Sequence, residues 1–158
     1  IARYRERYHD IGLFENEVYP GIAAMLEDLR GAGLTLSLAT AKPQSTAIRI
    51  VEHFGFTDYF SVQAGATIDV GSQRRTKAEV ITYALAELGV GSTPQDLAGV
   101  IMIGDRDHDV EGAHDNGIDC IGVTWGFGSV HELTTAGAVA LVDSPGEVAA
   151  AVAATYRS

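Results

Sequence analysis

The stretch Val100-Ile101-Met102-Ile103-Gly104-Asp105-Arg106-Asp107-His108-Asp109 decides the fold. Its apolar opening reads as a buried strand, Gly104 ends it, and three carboxylates follow within five positions. Anionic side chains so close repel one another unless a cation sits among them. A hard divalent ion such as Mg²⁺ suits the place, because it takes oxygen ligands and keeps several waters. In open α/β sheets, ligands gather beyond the carboxyl ends of the strands, which is where this loop falls. A plainer reading stays open: acidic residues after a strand cap the next helix and favour its positive end. Val110 to Gly117 reads as such a helix, with Asp107 as its cap or as a solvated residue. Asp105 and Asp109 are the expected metal ligands.

Outward from this loop, strands and helices alternate. Ile22–Arg30 reads as a helix between Pro20 and Gly31, and Leu34–Thr40 as an apolar strand. A helix from Pro43 to Phe54 and a strand from Phe60 to Ala64 come next. Residues 67–76 are polar and loop-like. Thr76 can cap a helix over Lys77–Leu88, with Val80, Ala84 and Leu88 on one stripe. Past the acidic loop, Asp119–Val123 is a strand, Gly126-Phe127-Gly128 a glycine-rich loop, and Val130–Thr135 a short helix. Val139–Val142 and an Ala-rich helix over Glu147–Tyr156 close the chain. This alternation predicts an α/β fold, a three-layer Rossmann-like parallel sheet with helices on both faces. The strands are continuous apolar runs, as strands buried on both sides should be.

Composition narrows the function. The chain has 158 residues and a formal net charge of -10, which argues against nucleic acid as a partner. An acidic protein can still hold an anionic substrate where a metal and a lysine concentrate positive charge. Cys120 is the single cysteine, so no internal disulfide framework exists, and a cytoplasmic location is expected. It lies in an apolar run and reads as a buried, inert thiol. No apolar run is long enough to span a bilayer, and the first eight residues do not form a signal peptide. The five histidines are scattered without paired ligand spacing, which argues against zinc. Trp125 and Phe127 read as packing at the sheet edge, with a substrate-lining role as the alternative.

Two further places bear on chemistry. Thr40-Ala41-Lys42-Pro43 puts a hydroxyl, a turn and an ammonium between a strand and a helix. Such a turn can hold phosphoryl oxygens; equally, Thr40 can be a mere strand end and Lys42 a surface charge. Lys77 opens a helix, where a cation opposes the macrodipole. It is either solvated or paired with a carboxylate and a phosphate.

Order and spacing together resemble the haloacid dehalogenase superfamily of phosphohydrolases. Thr40 matches its second motif, Lys77 its third, and Asp105 with Asp109 its fourth. Val18-Tyr19-Pro20-Gly21-Ile22 and Gly122-Val123-Thr124-Trp125-Gly126-Phe127-Gly128 are similar to the phosphoglycolate phosphatase-like branch with a helical cap. The resemblance implies a Mg²⁺-dependent phosphomonoester hydrolase working through a phosphoaspartyl intermediate on a small phosphorylated metabolite. Thr40, Ala41 and Lys42 would bind the phosphoryl group. Lys77 would neutralise charge beside it, and Asp105 would bind Mg²⁺ with Asp109 as ligand or support. Phosphoryl transfer depends chiefly on positioning and charge neutralisation, which these residue types supply.

One family element has no match. The Asp-x-Asp loop that provides nucleophile and general acid belongs on an N-terminal strand, ahead of the cap. Asp105-Arg106-Asp107 has that form but stands in the fourth-motif position. Residues 1–17 are therefore expected to be the remnant of the helical cap and 18–158 the core domain. The first core strand would be absent, and the chain an N-terminally truncated, inactive form. That strand normally lies mid-sheet, between those ending at Thr40 and Ile103. Its loss would leave two edges unpaired, which permits a homodimer. A non-catalytic metal- and phosphate-binding or scaffold protein is the competing reading. A dehalogenase would leave the metal-type loop unexplained, a phosphomutase needs cap residues not present, and a signalling receiver domain carries its acidic pair near its first strand.

Overall fold

A computed structural model describes residues 17–69, 71 and 73–156. The expected cap remnant at residues 1–17 lies, but for residue 17, outside the described residues. Five strands alternate with helices: α1 Ile22–Gly31, β1 Leu36–Pro43, α2 Gln44–His53, β2 Phe60–Ala66, α3 Lys77–Glu87, α4 Pro94–Leu97, β3 Ile101–Gly104, α5 Asp107–Asp115, β4 Asp119–Val123, α6 Val130–Ala136, β5 Ala140–Val142 and α7 Val148–Thr155. The sheet comes in two parts. β1 pairs with β2, and β3, β4 and β5 pair in that order; every pairing is parallel. No ladder joins β1 to β3 among the described residues.

Side chains alternate across the strands into two apolar layers. On one face Ile121 and Val123 of β4 and Val142 of β5 pack with Leu29 of α1 and Val148 and Val152 of α7. On the other, Cys120 packs with Ile81 of α3, Val110 and Ala113 of α5 and Leu133 of α6. Ile121, Leu133, Val110 and Val148 are wholly buried. Each is worth about 1.5–3 kcal/mol of transfer free energy. Helices thus cover both faces, as the apolar strands predict.

Boundaries moved where local polar chemistry outweighed periodicity. Asp105 to Asp109 are not all loop: α5 begins at Asp107, Asp109 accepts the Asp105 and Arg106 amides just ahead of it, and Asp107 accepts the amide of His108. β1 runs on to Pro43, with a register shift against β2 between Ala39 and Pro43. Thr67 and Arg74 are joined by reciprocal backbone hydrogen bonds, at 3.0 and 2.9 Å. Thr93-Pro94-Gln95-Asp96 forms an extra turn of helix, closed by a capping box that the sequence carried unremarked. The buried face of α3 is Val80, Ile81 and Ala84, with Leu88 at its edge.

Candidate active site

The acidic loop leaves β3 at Gly104 and turns at once into α5. Asp109, with a side chain only 5% exposed, divides its carboxylate between two tasks. Oδ2 accepts the amides of Asp105 and Arg106 at 3.0 and 3.1 Å, which fastens the loop. Oδ1 meets Lys77 Nζ at 2.7 Å. There is room for this only because residue 104 is glycine: a Cβ there would lie 2.3 Å from Asp109 Cβ.

Lys77 sits at the start of α3, where its charge opposes the helix dipole. Two contacts offset that. Besides Asp109, its ammonium donates to Ala39 O at 2.9 Å. The side chain is nine-tenths buried, and a buried cation requires a partner of this kind. Lys77 therefore ties the carboxyl end of β1 to the loop after β3, across the line where the two parts of the sheet meet. Thr76 and Glu79 close a capping box beneath it; the Arg75 and Thr76 amides hold the Glu79 carboxyl below its ordinary range.

The Thr40–Pro43 turn stands beside Ala39. Thr40 Oγ1 accepts the amide of Lys42 at 3.2 Å, a local turn that leaves its own hydroxyl proton to give. Ala41 and Lys42 are exposed. The turn is braced from below by residues that the sequence did not single out. Arg74, buried in spite of its charge, donates through Nε to Gly65 O at 3.0 Å and through Nη2 to Gln44 Oε1 at 2.5 Å. Its guanidinium also lies 3.8 Å from the centre of the Tyr83 ring. Gln44 is the first residue of α2, directly after the turn. An arginine three residues before a helix-opening lysine was the only trace of this brace in the sequence.

Asp105 is fixed by the glycine-rich loop. Its Oδ2 accepts the Phe127 amide at 2.8 Å, and its carbonyl accepts the Gly128 amide at 2.8 Å. A Cβ at Gly126 would fall 2.3 Å from Asp105 Oδ2, and one at Gly128 would fall 2.0 Å from Asp105 O. The two glycines exist here for that close approach. Asp105 Oδ1 has no protein partner among the described residues. Glu132 locks the far side: Oε1 accepts from Arg106 Nε at 2.8 Å and from the Asp107 amide at 3.0 Å. The guanidinium of Arg106 holds the Glu132 carboxyl below its ordinary range, the Asp107 amide adding to the effect. Trp125 packs against the core, but Phe127 is 85% exposed and does not pack at the sheet edge as its hydrophobicity suggested.

Continuous contacts thus link the end of β1 through Lys77 and Asp109 to Asp105 and the glycine loop. Lys42 stands outside this chain of contacts, and Thr40 adjoins it only through its neighbour Ala39. Cys120, wholly buried, is inert: burial and then the Asp109 charge push its thiol up to about 12. No helix among the described residues is long and apolar enough to cross a membrane.

Comparison with known proteins places this arrangement. The chain is 44% identical over 128 residues to the tyrosine-protein kinase PtkA of Mycobacterium tuberculosis, covering 81% of this chain and 42% of that protein. It is 43% identical over 133 residues to a 5'-nucleotidase of Pseudomonas aeruginosa, covering 84% and 57%. The crystal structure of a predicted phosphatase from Clostridium acetobutylicum superposes with a TM-score of 0.86 at 41% identity, covering 97% of this chain and 68% of that one. The chain thus spans about half the length of these two curated relatives. The sequence model of the haloacid dehalogenase-like hydrolases matches residues 1–123, and the chain belongs to that family.

Proposed function

We propose that the chain is the core of a Mg²⁺-dependent phosphomonoester hydrolase acting on a small phosphorylated metabolite. The observation that carries this reading is Lys77, which joins the strand end beside Thr40 to the Asp109/Asp105 loop through contacts of 2.9 and 2.7 Å. Thr40 and the amide of Ala41 hold phosphoryl oxygens at the start of α2, where the Lys42 amide already shapes the turn by donating to Thr40 Oγ1 and the Lys42 ammonium lies exposed beside it. Lys77 neutralises charge beside them. Asp105, whose Oδ2 is taken by the Phe127 amide, would hold the ion through Oδ1. Mg²⁺ commonly takes one or two protein carboxylates and fills its shell with water and phosphate oxygens, so this donor set fits it. An ion held by Asp105 would supply Lewis-acid polarisation of the phosphoryl group. Asp109, with both oxygens committed, supports Lys77 and the loop amides instead of ligating. The nucleophilic aspartate of the phosphoaspartyl route comes from polypeptide outside residues 1–158, and the chain by itself is inactive.

The test is turnover of p-nitrophenyl phosphate and 5'-nucleotides by the polypeptide expressed with its upstream coding sequence. Mg²⁺-dependent hydrolysis, abolished in Asp105→Asn, is expected. No turnover, or turnover indifferent to that substitution, refutes the reading. Hydrolysis by residues 1–158 alone would refute the inactivity. The name of the mycobacterial relative raises transfer to tyrosine as a second reading; it predicts labelling of a tyrosine from radioactive ATP in the same assay.

A further inference from the structure

Asp109, Gly112 and Asn116 follow one another at helical spacing, so they share one face of α5 and of the residue that caps its end. That face meets α3. At its start Lys77 Nζ reaches Asp109 Oδ1 at 2.7 Å. One turn on, a Cβ on Gly112 would stand 2.9 Å from Lys77 Cγ and 3.0 Å from the Ala78 amide nitrogen, so the glycine lets the two helices close in. At the far end Asn116 Nδ2 donates to Gly112 O at 2.8 Å and to Ala78 O at 3.0 Å. Both amide protons are thereby used, one on each helix. Carbonyl oxygens cannot donate, so only this orientation of the amide makes both bonds. Thr82 of α3 holds it so: its hydroxyl lies 2.7 Å from Asn116 Oδ1 and 2.9 Å from Ala78 O.

We propose that Asn116, oriented by Thr82, is the positioning residue for Lys77. It straps the first turn of α3 to the end of α5 through Ala78 O, the carbonyl next along the chain from Lys77. The strap sets the separation at which the ammonium meets Asp109. A lysine stem is flexible, and its charge keeps one place only where backbone and partners are both held. The hydrogen bonds of Asn116 and Thr82 go to Ala78, to Gly112 and to each other, so both residues act on the site through Lys77. The strap stands on the packing of the two helices; its consequence for turnover rests on the phosphohydrolase reading above.

Three variants test it. Asn116→Ala removes the strap, Thr82→Val keeps the shape of an exposed side chain without its hydroxyl, and Thr82→Ser keeps the hydroxyl. The readout in the 158-residue chain is proton exchange with water at the Lys77 ammonium, a nitrogen-15 NMR signal identified by its loss in Lys77→Met. Exchange is expected to quicken about ten-fold in Asn116→Ala and about three-fold in Thr82→Val, as the ammonium opens locally, and to keep the parent rate in Thr82→Ser. The Arg106 Nε–H, held by Glu132 beyond the loop, should not change. In the polypeptide with its upstream sequence, kcat for p-nitrophenyl phosphate should fall about ten-fold in Asn116→Ala, a typical cost of misplacing a charge, and Thr82→Ser should restore what Thr82→Val loses. Parent-like Lys77 exchange in Thr82→Val overturns the proposal, even if Asn116→Ala fails to fold. Equal quickening at Lys77 and Arg106 does so too, because the effect would then be general loosening. Faster exchange at Lys77 with kcat unchanged overturns the claim that the strap serves turnover. A parent that hydrolyses no phosphate ester refutes the phosphohydrolase reading instead, and the exchange rates still decide the strap.

Discussion

The two parts of the sheet carry the two halves of the site, and they are built differently. The β3–β4–β5 part holds its carboxylates before any ligand arrives. Asp109 is buried against two amides and a lysine, and Asp105 is wedged under two glycines. The β1–β2 part offers its turn openly: β1 is only half-buried or exposed along its length, and Thr40 has a single local contact. The acidic side is therefore preorganised and the Thr40 turn is braced but uncovered. On the proposed function, preorganised charge needs no rearrangement at the moment of reaction, and an open turn admits a substrate.

The largest effect should come from breaking the join between the parts. Asp109→Ala strips the partner from a nine-tenths buried ammonium and two amides of their acceptor. The expected loss is about 3–5 kcal/mol, the usual cost of orphaning one member of a buried ion pair. Lys77→Met should cost less, since Asp109 keeps its amides. The double variant should lie well short of the sum of the singles, and urea unfolding of all four proteins measures the coupling. If the losses add, Lys77 does not join the two parts.

Next comes the rigidity of the Asp105–Asp109 side alone. Gly128→Ala places a Cβ against the Asp105 backbone, which cannot yield as a side-chain tip can. Overpacking of this kind costs about 1–3 kcal/mol. Thermal melting should show that loss, and the amide signals of Asp105 and Phe127 should move together in an NMR spectrum. A variant as stable as the parent would mean that the loop is looser than its contacts suggest.

These contrasts also show what could be read from residues alone. β4 was legible to the residue, because Asp119–Val123 is apolar between polar ends and covered on both faces. The start of α5 was not: Val110–Gly117 reads as helix, but the first turn from Asp107 is acidic and has no apolar stripe, and only its caps reveal it. Asp105, Asp109 and Lys77 were legible as a set, but their division of labour was not. Which carboxylate keeps a free oxygen depends on amides and glycines brought in from 22 positions away, as with Phe127 and Asp105. Arg74 was illegible for the same reason: Gln44 and Gly65 meet it only in three dimensions. Phe127 misled, because hydrophobicity says nothing of direction when the flanking glycines fix the backbone.

The brace under the open turn should give a comparable or smaller loss. Arg74→Met keeps the apolar bulk over Tyr83 but leaves Gly65 O and Gln44 Oε1 without this donor. Gln44 Oε1 keeps the Gly65 amide at 3.4 Å, so the loss should lie near the lower end of the roughly 1–3 kcal/mol that an unmet buried acceptor costs. Amide exchange should quicken in Thr40–Gln44 and leave Asp105–Asp109 unaffected. Quickening in both places would mean that the two halves of the site are one cooperative unit.

The smallest effect separates binding from folding. Thr40→Val exchanges one hydroxyl contact on a half-buried strand end for a methyl group of similar size. Stability should change by no more than about 0.5 kcal/mol, as at other sites away from the core. Binding of inorganic phosphate in the presence of Mg²⁺, followed by calorimetry on the polypeptide with its upstream sequence, should weaken by about ten-fold. A hydroxyl given to a charged oxygen is worth about 1.5 kcal/mol or more, whereas the same hydroxyl in a local turn is worth little. A variant that binds phosphate as well as the parent would return Thr40 to the role of a plain strand end, and the open half of the site would have to be rebuilt around Lys42 and the backbone.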